Sequence, residues 1–259
     1  MSDVIVPTSA EDAAAAFGDG AGITVLAGGT IVMPDLVLGR LHPQRTLFLG
    51  RTGLDGIERA GGTYRIGAMT PVAKLVDGAP RPLSDFAAHV ADYEIRRQAT
   101  IGGNLCAPPG RTAPRGDLQA PLLALGARVR SVGSGGEREE SVDDFLAAGD
   151  GRLVLEIEVD EPKRAATAAV RRPHAHAYSI LAVAAAETAD GVRVAILGAG
   201  PRAVRATSVE REMAAGESPA NAAAAVLDDV DPVDDALASA WYRKQVLPGL
   251  VTRALEDLA

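Results

Sequence analysis

The chain has 259 residues, with 26 basic and 34 acidic side chains for a net charge of −8; 47% of it is hydrophobic and 3% aromatic. An ordinary apolar share supplies a core and excludes a disordered tail. A negative chain with nine aromatic residues lacks the basic field and stacking platforms of a nucleic-acid binder, and its longest apolar run, around Ile180–Ala186, falls far short of the ~20 residues of a membrane-spanning helix.

Ser9-Ala10-Glu11-Asp12 has the form of a capping box and predicts a helix through Phe17, stopped by Gly18. Ile23–Ala27, apolar and partly β-branched, predicts a buried strand that runs straight into Gly28-Gly29-Thr30. Leu47–Leu49 and Tyr64–Ala68 read as further strands. Thr70 as N-cap, with Pro71 in the first turn, opens a helix ending near Gly78. Another helix is expected over Ser84–Arg96, and Asp117 caps one through Leu125. Ala127–Val132 and Glu137–Val142 flank Gly133-Ser134-Gly135-Gly136 as a hairpin, and Arg152–Val159 is one more strand. After Pro162 the texture changes. Ala165–Arg172, Ala177–Glu187 and Val192–Leu197 predict three strands, the last two joined by an Asp190-Gly191 turn. From Ser208 the chain is helical and alanine-rich; Leu237, Trp241, Leu247, Val251, Leu255 and Leu258 form one stripe that Pro248 kinks or divides. The boundary between two folding units is placed near residue 162.

Cys106 is the one cysteine, which excludes an internal disulfide and a cysteine-based metal cluster within the chain. No leader peptide is apparent at the N-terminus, and a reducing cytoplasm is the expected location. The chain also holds 28 glycines, above the usual share of ~7%. Two pairs stand out because each closes a short apolar segment: Leu26-Ala27-Gly28-Gly29-Thr30 and Ala99-Thr100-Ile101-Gly102-Gly103-Asn104. Backbone without Cβ atoms can curl so that successive N–H groups converge on phosphate oxygens. Thr30, Thr100 and Asn104 add short donors beside them, so two such loops could hold the two halves of a pyrophosphate without lysines. Taken singly, each pair reads first as a plain turn; it is the combination that favours the pyrophosphate.

The order Leu26-Ala27-Gly28-Gly29-Thr30, Ile66-Gly67-Ala68-Met69-Thr70, Ile95-Arg96-Arg97-Gln98-Ala99-Thr100-Ile101-Gly102-Gly103-Asn104-Leu105 and Gly116-Asp117-Leu118 resembles the FAD-binding medium subunit of the xanthine dehydrogenase and carbon monoxide dehydrogenase group of molybdenum hydroxylases. Leu153–Val159, Tyr178–Ala185, Gly200-Pro201-Arg202-Ala203 and Ala238–Arg243 extend the resemblance over nearly the whole chain. It implies an α+β fold. A two-lobed FAD-binding domain of the vanillyl-alcohol-oxidase/PCMH type would cover 1–162, with lobes at about 1–53 and 54–162. A small C-terminal α/β domain, a three-stranded antiparallel sheet with helices, would cover 163–259.

The resemblance also implies FAD as cofactor. Leu26, Ala27, Gly28, Gly29, Thr30 and Ile31 would lie at the pyrophosphate and the flavin end; Ala99, Thr100, Ile101, Gly102, Gly103 and Asn104 would take the other side of the pyrophosphate. Asp117 corresponds to the acidic residue that hydrogen-bonds the cofactor's hydroxylated linker. Leu153 and Val154 would supply apolar contact to the adenine or isoalloxazine walls. Arg171 stands where relatives commonly carry a lysine near the flavin, and Tyr178 where they carry an aromatic ring over the isoalloxazine. The implied protein is an electron-transfer flavoprotein subunit of an oxidoreductase. A large molybdopterin-binding partner oxidises the substrate, a small [2Fe-2S] partner relays electrons, and this subunit delivers them to NAD, oxygen or a quinone. The three chains would form a heterotrimer able to dimerise. No catalytic acid, base or nucleophile and no metal ligand is assigned.

Ile31 replaces a residue that is often polar, Pro108–Arg115 is a long insertion, and Ala177 replaces a usual aspartate. These departures motivate a rival reading, a cofactor-free assembly subunit of the same complex. A stand-alone flavin oxidoreductase is a second rival, although no positioned proton donor asks for it. Other features read as structural. Gly198-Ala199-Gly200-Pro201-Arg202-Ala203 has the outline of a dinucleotide fingerprint, but Pro201 removes a donor and no ribose-binding acid ends a following strand. His174 and His176 lack a completing metal-ligand set. Cys106 reads as a small packing residue rather than a redox thiol. Arg96-Arg97 either screen phosphates or end a solvated helix, and Arg111 and Arg115 belong to a solvated loop.

Overall fold

The computed structural model describes residues 3–109, 116–149, 151–171 and 179–259. Its first lobe runs β1 (Asp3–Ile5), α1 (Ala10–Phe17), β2 (Ile23–Leu26), α2 (Val32–Val37) and β3 (Arg45–Phe48), with the strands parallel in the order β1-β3-β2. The expected capping box forms: Ser9 Oγ accepts from the Asp12 N–H at 3.0 Å, and Gly18 at φ +57° ends α1. Ala13 and Phe17 on the inner face of α1 pack against Leu47, Leu49, Leu153 and Leu155. The small first sheet thus shares its core with residues of the next lobe.

That second lobe contains β4 (Ile57–Ala60), β5 (Thr63–Gly67), α3 (Val72–Gly78), α4 (Leu83–Ala87), α5 (Tyr93–Gln98), α6 (Ile101–Leu105), α7 (Gln119–Leu125), β6 (Arg128–Gly133), β7 (Gly136–Ser141), α8 (Val142–Ala148) and β8 (Leu153–Asp160). Its five strands are antiparallel in the order β4-β5-β8-β6-β7. Period-two alternation sorts the faces. Tyr64, Ile66, Val129, Ile157 and Val159 turn inward onto a core with Leu75, Leu83, Ile101 and Leu122. On the opposite face Glu158 accepts from Arg65 Nε at 2.9 Å and Arg128 Nε at 3.0 Å.

Three expectations fail in this lobe. The helix expected over 84–96 is two helices, broken at Ala91, which has φ +40°. Thr70 does not cap α3. Its hydroxyl instead accepts from Gly56 N–H and donates to Gly56 O, both at 2.9 Å, and Pro71 occupies the cap position. Asp117 does not cap α7 either: Leu118 holds that place, and its N–H is taken by Asn104 Oδ1 at 2.8 Å. The hairpin forms as expected except that Val142 leaves the strand to start α8, under an Ser141 cap.

The last unit is β9 (Arg164–Arg171), β10 (Ser179–Thr188), β11 (Gly191–Leu197), β12 (Val204–Arg205), α9 (Thr207–Ala214), α10 (Pro219–Ala224) and α11 (Ala240–Leu258). Its antiparallel sheet has four strands rather than three, because β12 adds to β11. Every residue from Ser179 to Ala186 is buried, since β10 is covered on both faces. Leu181, Val183 and Ala185 meet Leu247, Val251 and Leu255 of α11. Ala182, Ala184 and Ala186 belong to the second lobe's core, where small side chains let α7 lie close. Pro248 does not divide α11, which is helical throughout. Trp241 is not part of its stripe and stands 70% exposed.

Candidate functional site

The strand β2 delivers the chain into the first glycine pair, and α2 follows at once. Gly29 takes φ +74°, which glycine adopts without a Cβ penalty. The backbone N–H groups of Gly29, Thr30, Ile31 and Val32 meet no acceptor among the described residues, nor does the Thr30 hydroxyl. They border a cleft of about 790 Å³, within the range of small-molecule sites. The same cleft is lined by Thr100, Gly102, Gly103 and Asn104, and by Asp117, Leu153 and Val154.

The second glycine pair is not the open nest expected of it. It lies in α6, and its N–H groups are consumed. Ile101 donates to Thr70 O, Gly102 to Ala68 O, Gly103 to Thr100 Oγ and Asn104 to Thr100 O. Thr100 Oγ accepts from Gly103, so its own proton remains available to a ligand. Asn104 acts chiefly on the protein: with Gln119, whose side chain donates to Leu105 O at 2.9 Å, it fastens α6 to the start of α7 and so places Asp117.

The reason for two of the glycines changes as well. A Cβ on Gly28 would lie 1.9 Å from Gln98 O, and one on Gly102 would lie 2.8 Å from Ala68 O. These positions need glycine because protein backbone approaches there, before any ligand is considered. The two motifs are joined by the first of these contacts, since Gln98 directly precedes the second motif.

Asp117 is half-buried on the cleft wall, and burial pushes its carboxyl up to about 7, against the opposing pull of Arg171. Arg171, at the end of β9, is exposed and not among the residues lining the cleft. Leu26 and Ile101 do not line it either: Ile101 is fully buried in the core, while Leu26 packs behind Gly29. Ala27, Gly28, Gly29, Thr30, Ile31 and Ala99 do line it. Tyr178, with Ala177, His174, His176, Arg111 and Arg115, lies outside the described residues. Cys106, expected as a small packing residue, is instead exposed where it lines the cleft. Among the described residues no His, Cys, Asp and Glu cluster could hold a metal ion.

Sequence reasoning missed part of the wall. Val90, Ala91 and Ile95 enter through the break between α4 and α5. Phe145 and Leu146 arrive on α8, an element that was not foreseen. Arg152 lines the cleft while closing the hairpin turn, donating to Ser131 Oγ at 2.9 Å and Ser134 O at 3.0 Å. Arg202 reaches in from the last unit and donates to Leu146 O at 2.6 Å. Its glycine-rich segment is therefore a connection across the lobes. A Cβ on Gly198, at φ +87°, would lie 2.3 Å from Ile180 O.

Residues 1–160 match the family model of the FAD binding domain in molybdopterin dehydrogenase, and residues 164–258 that of the CO dehydrogenase flavoprotein C-terminal domain. The 6-hydroxypseudooxynicotine dehydrogenase complex subunit alpha of Paenarthrobacter nicotinovorans is 30% identical, with 98% of this chain and 93% of that one covered. The carbon monoxide dehydrogenase medium chain of Hydrogenophaga pseudoflava is 26% identical, with 96% and 94% covered. Reconstituted CO dehydrogenase from Oligotropha carboxidovorans contains a chain that superposes with a TM-score of 0.85 at 25% identity, covering 100% of this chain and 97% of its own.

Proposed function

From the premise that the chain belongs to the FAD-binding medium subunits of CO dehydrogenase-type molybdenum hydroxylases, we propose that it carries electrons between partners. They would come from the [2Fe-2S] centres of a small subunit and leave to NAD, oxygen or a quinone, while a large molybdopterin-binding subunit oxidises the substrate. Bound FAD supplies the redox chemistry; the protein binds it, orients it and tunes its surroundings.

The observation that carries this reading is the row of N–H groups from Gly29 to Val32 that meet no acceptor among the described residues, on the same cleft as the Thr100 hydroxyl. Amides without a protein acceptor present partial positive charge to a pyrophosphate without a lysine, which suits so acidic a chain. Ile31 contributes through its backbone, so the loss of a polar side chain there costs the cradle nothing. In this reading Asp117 pairs with a hydroxyl of the cofactor's linker. Burial makes this carboxyl hold its proton more readily than an exposed aspartate does, and it can accept from the hydroxyl when ionised or donate to it when protonated. Leu153 and Val154 flank a flat ring as apolar wall, and Arg171 and Tyr178 complete the assigned set. The cytoplasm is the compartment we assign to this complex, and no helix of the described residues is long and apolar enough to cross a membrane.

Apoprotein titrated with FAD should quench flavin fluorescence to a one-to-one end point. When the large and small partners are added, substrate should reduce the acceptor only with all three chains present. Folded protein that leaves FAD fluorescence unchanged, or a complex whose turnover survives loss of this chain, overturns the reading.

A further inference from the structure

Ala91 is the one residue other than glycine, among the described residues, with a positive φ, at +40°. A left-handed conformation is costly for an L-residue with a Cβ, and glycine, asparagine and aspartate are the residues that usually take it. Ala91 sits in the turn between α4 and α5, on the cleft wall beside Val90 and Ile95. Something outside the turn must hold it there.

Arg96 does so. Its Nη1 donates to Val90 O and to Ala91 O, both at 2.9 Å, so one nitrogen grips the carbonyls on either side of the unfavourable torsion. Asp92 then caps α5, its Oδ1 accepting from Ile95 N–H at 2.8 Å. Arg96 does not line the cleft, which separates it from a residue that screens phosphate directly. Arg97, its neighbour, lies over the Tyr93 ring. The far end of α5 matters equally, because Gln98 O is the atom against which Gly28 is seated. A helix of six residues therefore fixes one cleft wall at its start and the first glycine loop at its end.

We propose that Arg96 is a positioning residue for the cofactor site. Its clamp on the Ala91 turn sets the wall and the angle of α5, and through Gln98 the seat of Gly28. This rests on the assignment of the cleft to FAD. Three variants test it: Arg96→Ala, Ala91→Gly and the double variant, each purified as apoprotein and titrated with FAD by fluorescence. Arg96→Ala should weaken FAD binding about tenfold, a factor of the size set by the left-handed penalty. Ala91→Gly alone sets the reference affinity for a wall without that methyl. In the double variant affinity should return to within about twofold of this reference, because glycine holds φ +40° without a clamp. A merely structural arginine would not be rescued by that substitution.

Unchanged affinity in Arg96→Ala overturns the proposal. So does a loss that Ala91→Gly fails to repair, which would put Arg96 on the ligand or in general folding. If the parent itself takes up no FAD, the cofactor assignment fails, and amide exchange in the apoprotein still judges the clamp. Ala91 and Asp92 should exchange faster in Arg96→Ala than in the parent; equal rates overturn it.

Discussion

Replacing Asp117 by asparagine isolates the one carboxyl, among the described residues, that burial lifts far from its ordinary value. The group moves from 3.8 to about 7, with desolvation the leading cause and Arg171 pulling the other way. Each tenfold change in proton affinity corresponds to about 1.4 kcal/mol, so keeping the carboxylate ionised costs the fold about 4 kcal/mol as a ceiling. Part of the group faces water in the cleft, and screening brings the expected figure nearer to ~2 kcal/mol. The sign follows from linkage. A carboxyl raised in the folded state binds its proton more tightly there than in the unfolded chain, so its contribution is complete below pH ~4 and is lost as pH rises through ~7. Urea unfolding of the apoprotein from pH 4 to 8 should therefore show the parent losing about 2 kcal/mol relative to Asp117→Asn, with nearly all of the change below pH 8. Curves that run parallel over that interval would refute the claim that Asp117 is buried at an energetic cost.

Gly28→Ala forces a methyl to within 1.9 Å of Gln98 O, so the glycine loop or α5 must give way. Overpacking of this kind costs about 1–3 kcal/mol; thermal unfolding should register it, and flavin quenching should show FAD affinity falling at least as steeply as the clamp variant. Glu158→Gln removes the negative charge that Arg65 and Arg128 share, and one of its two acceptor oxygens. Arg128, followed by Arg65, holds this carboxyl below its usual range, so its contribution exists at neutral pH and is lost as the solution is acidified. For a pair with partners this exposed the loss should be about 0.5–1 kcal/mol at pH 7, shrinking with added salt and with acidification, as read from denaturant midpoints.

Much of the framework is legible in the sequence because local chemistry decides it. Ser9 has a helix to cap, Ile23–Leu26 has a sheet to enter, and Gly135 and Gly136 supply the positive φ values the hairpin needs. The two glycine motifs do line one cleft. What was illegible depends on partners distant in the chain. In Val90-Ala91-Asp92 only Asp92, a cap residue, marks a new start, while alanine is a helix former and hides the turn; Arg96 stabilises that turn from the next helix. Thr70 has the chemistry of a cap, but Gly56 competes for its hydroxyl and wins. The second glycine pair reads as a loop by composition, yet Thr100 caps it into a helical turn and Ala68 leaves room for nothing larger than glycine. Short exposed strands such as β4 carry little periodic signal, and only pairing with β5 defines them.

The contact between Gly28 and Gln98 has a consequence for how such a chain can change over evolutionary time. It is made from main-chain atoms, so it asks nothing of side chains except the absence of one. Neighbouring residues are free to drift in size and polarity while the spacing between the glycine loop and α5 stays put. The side chains around this contact can then be rewritten, so long as no methyl is added at Gly28 or, by the same reasoning, at Gly102.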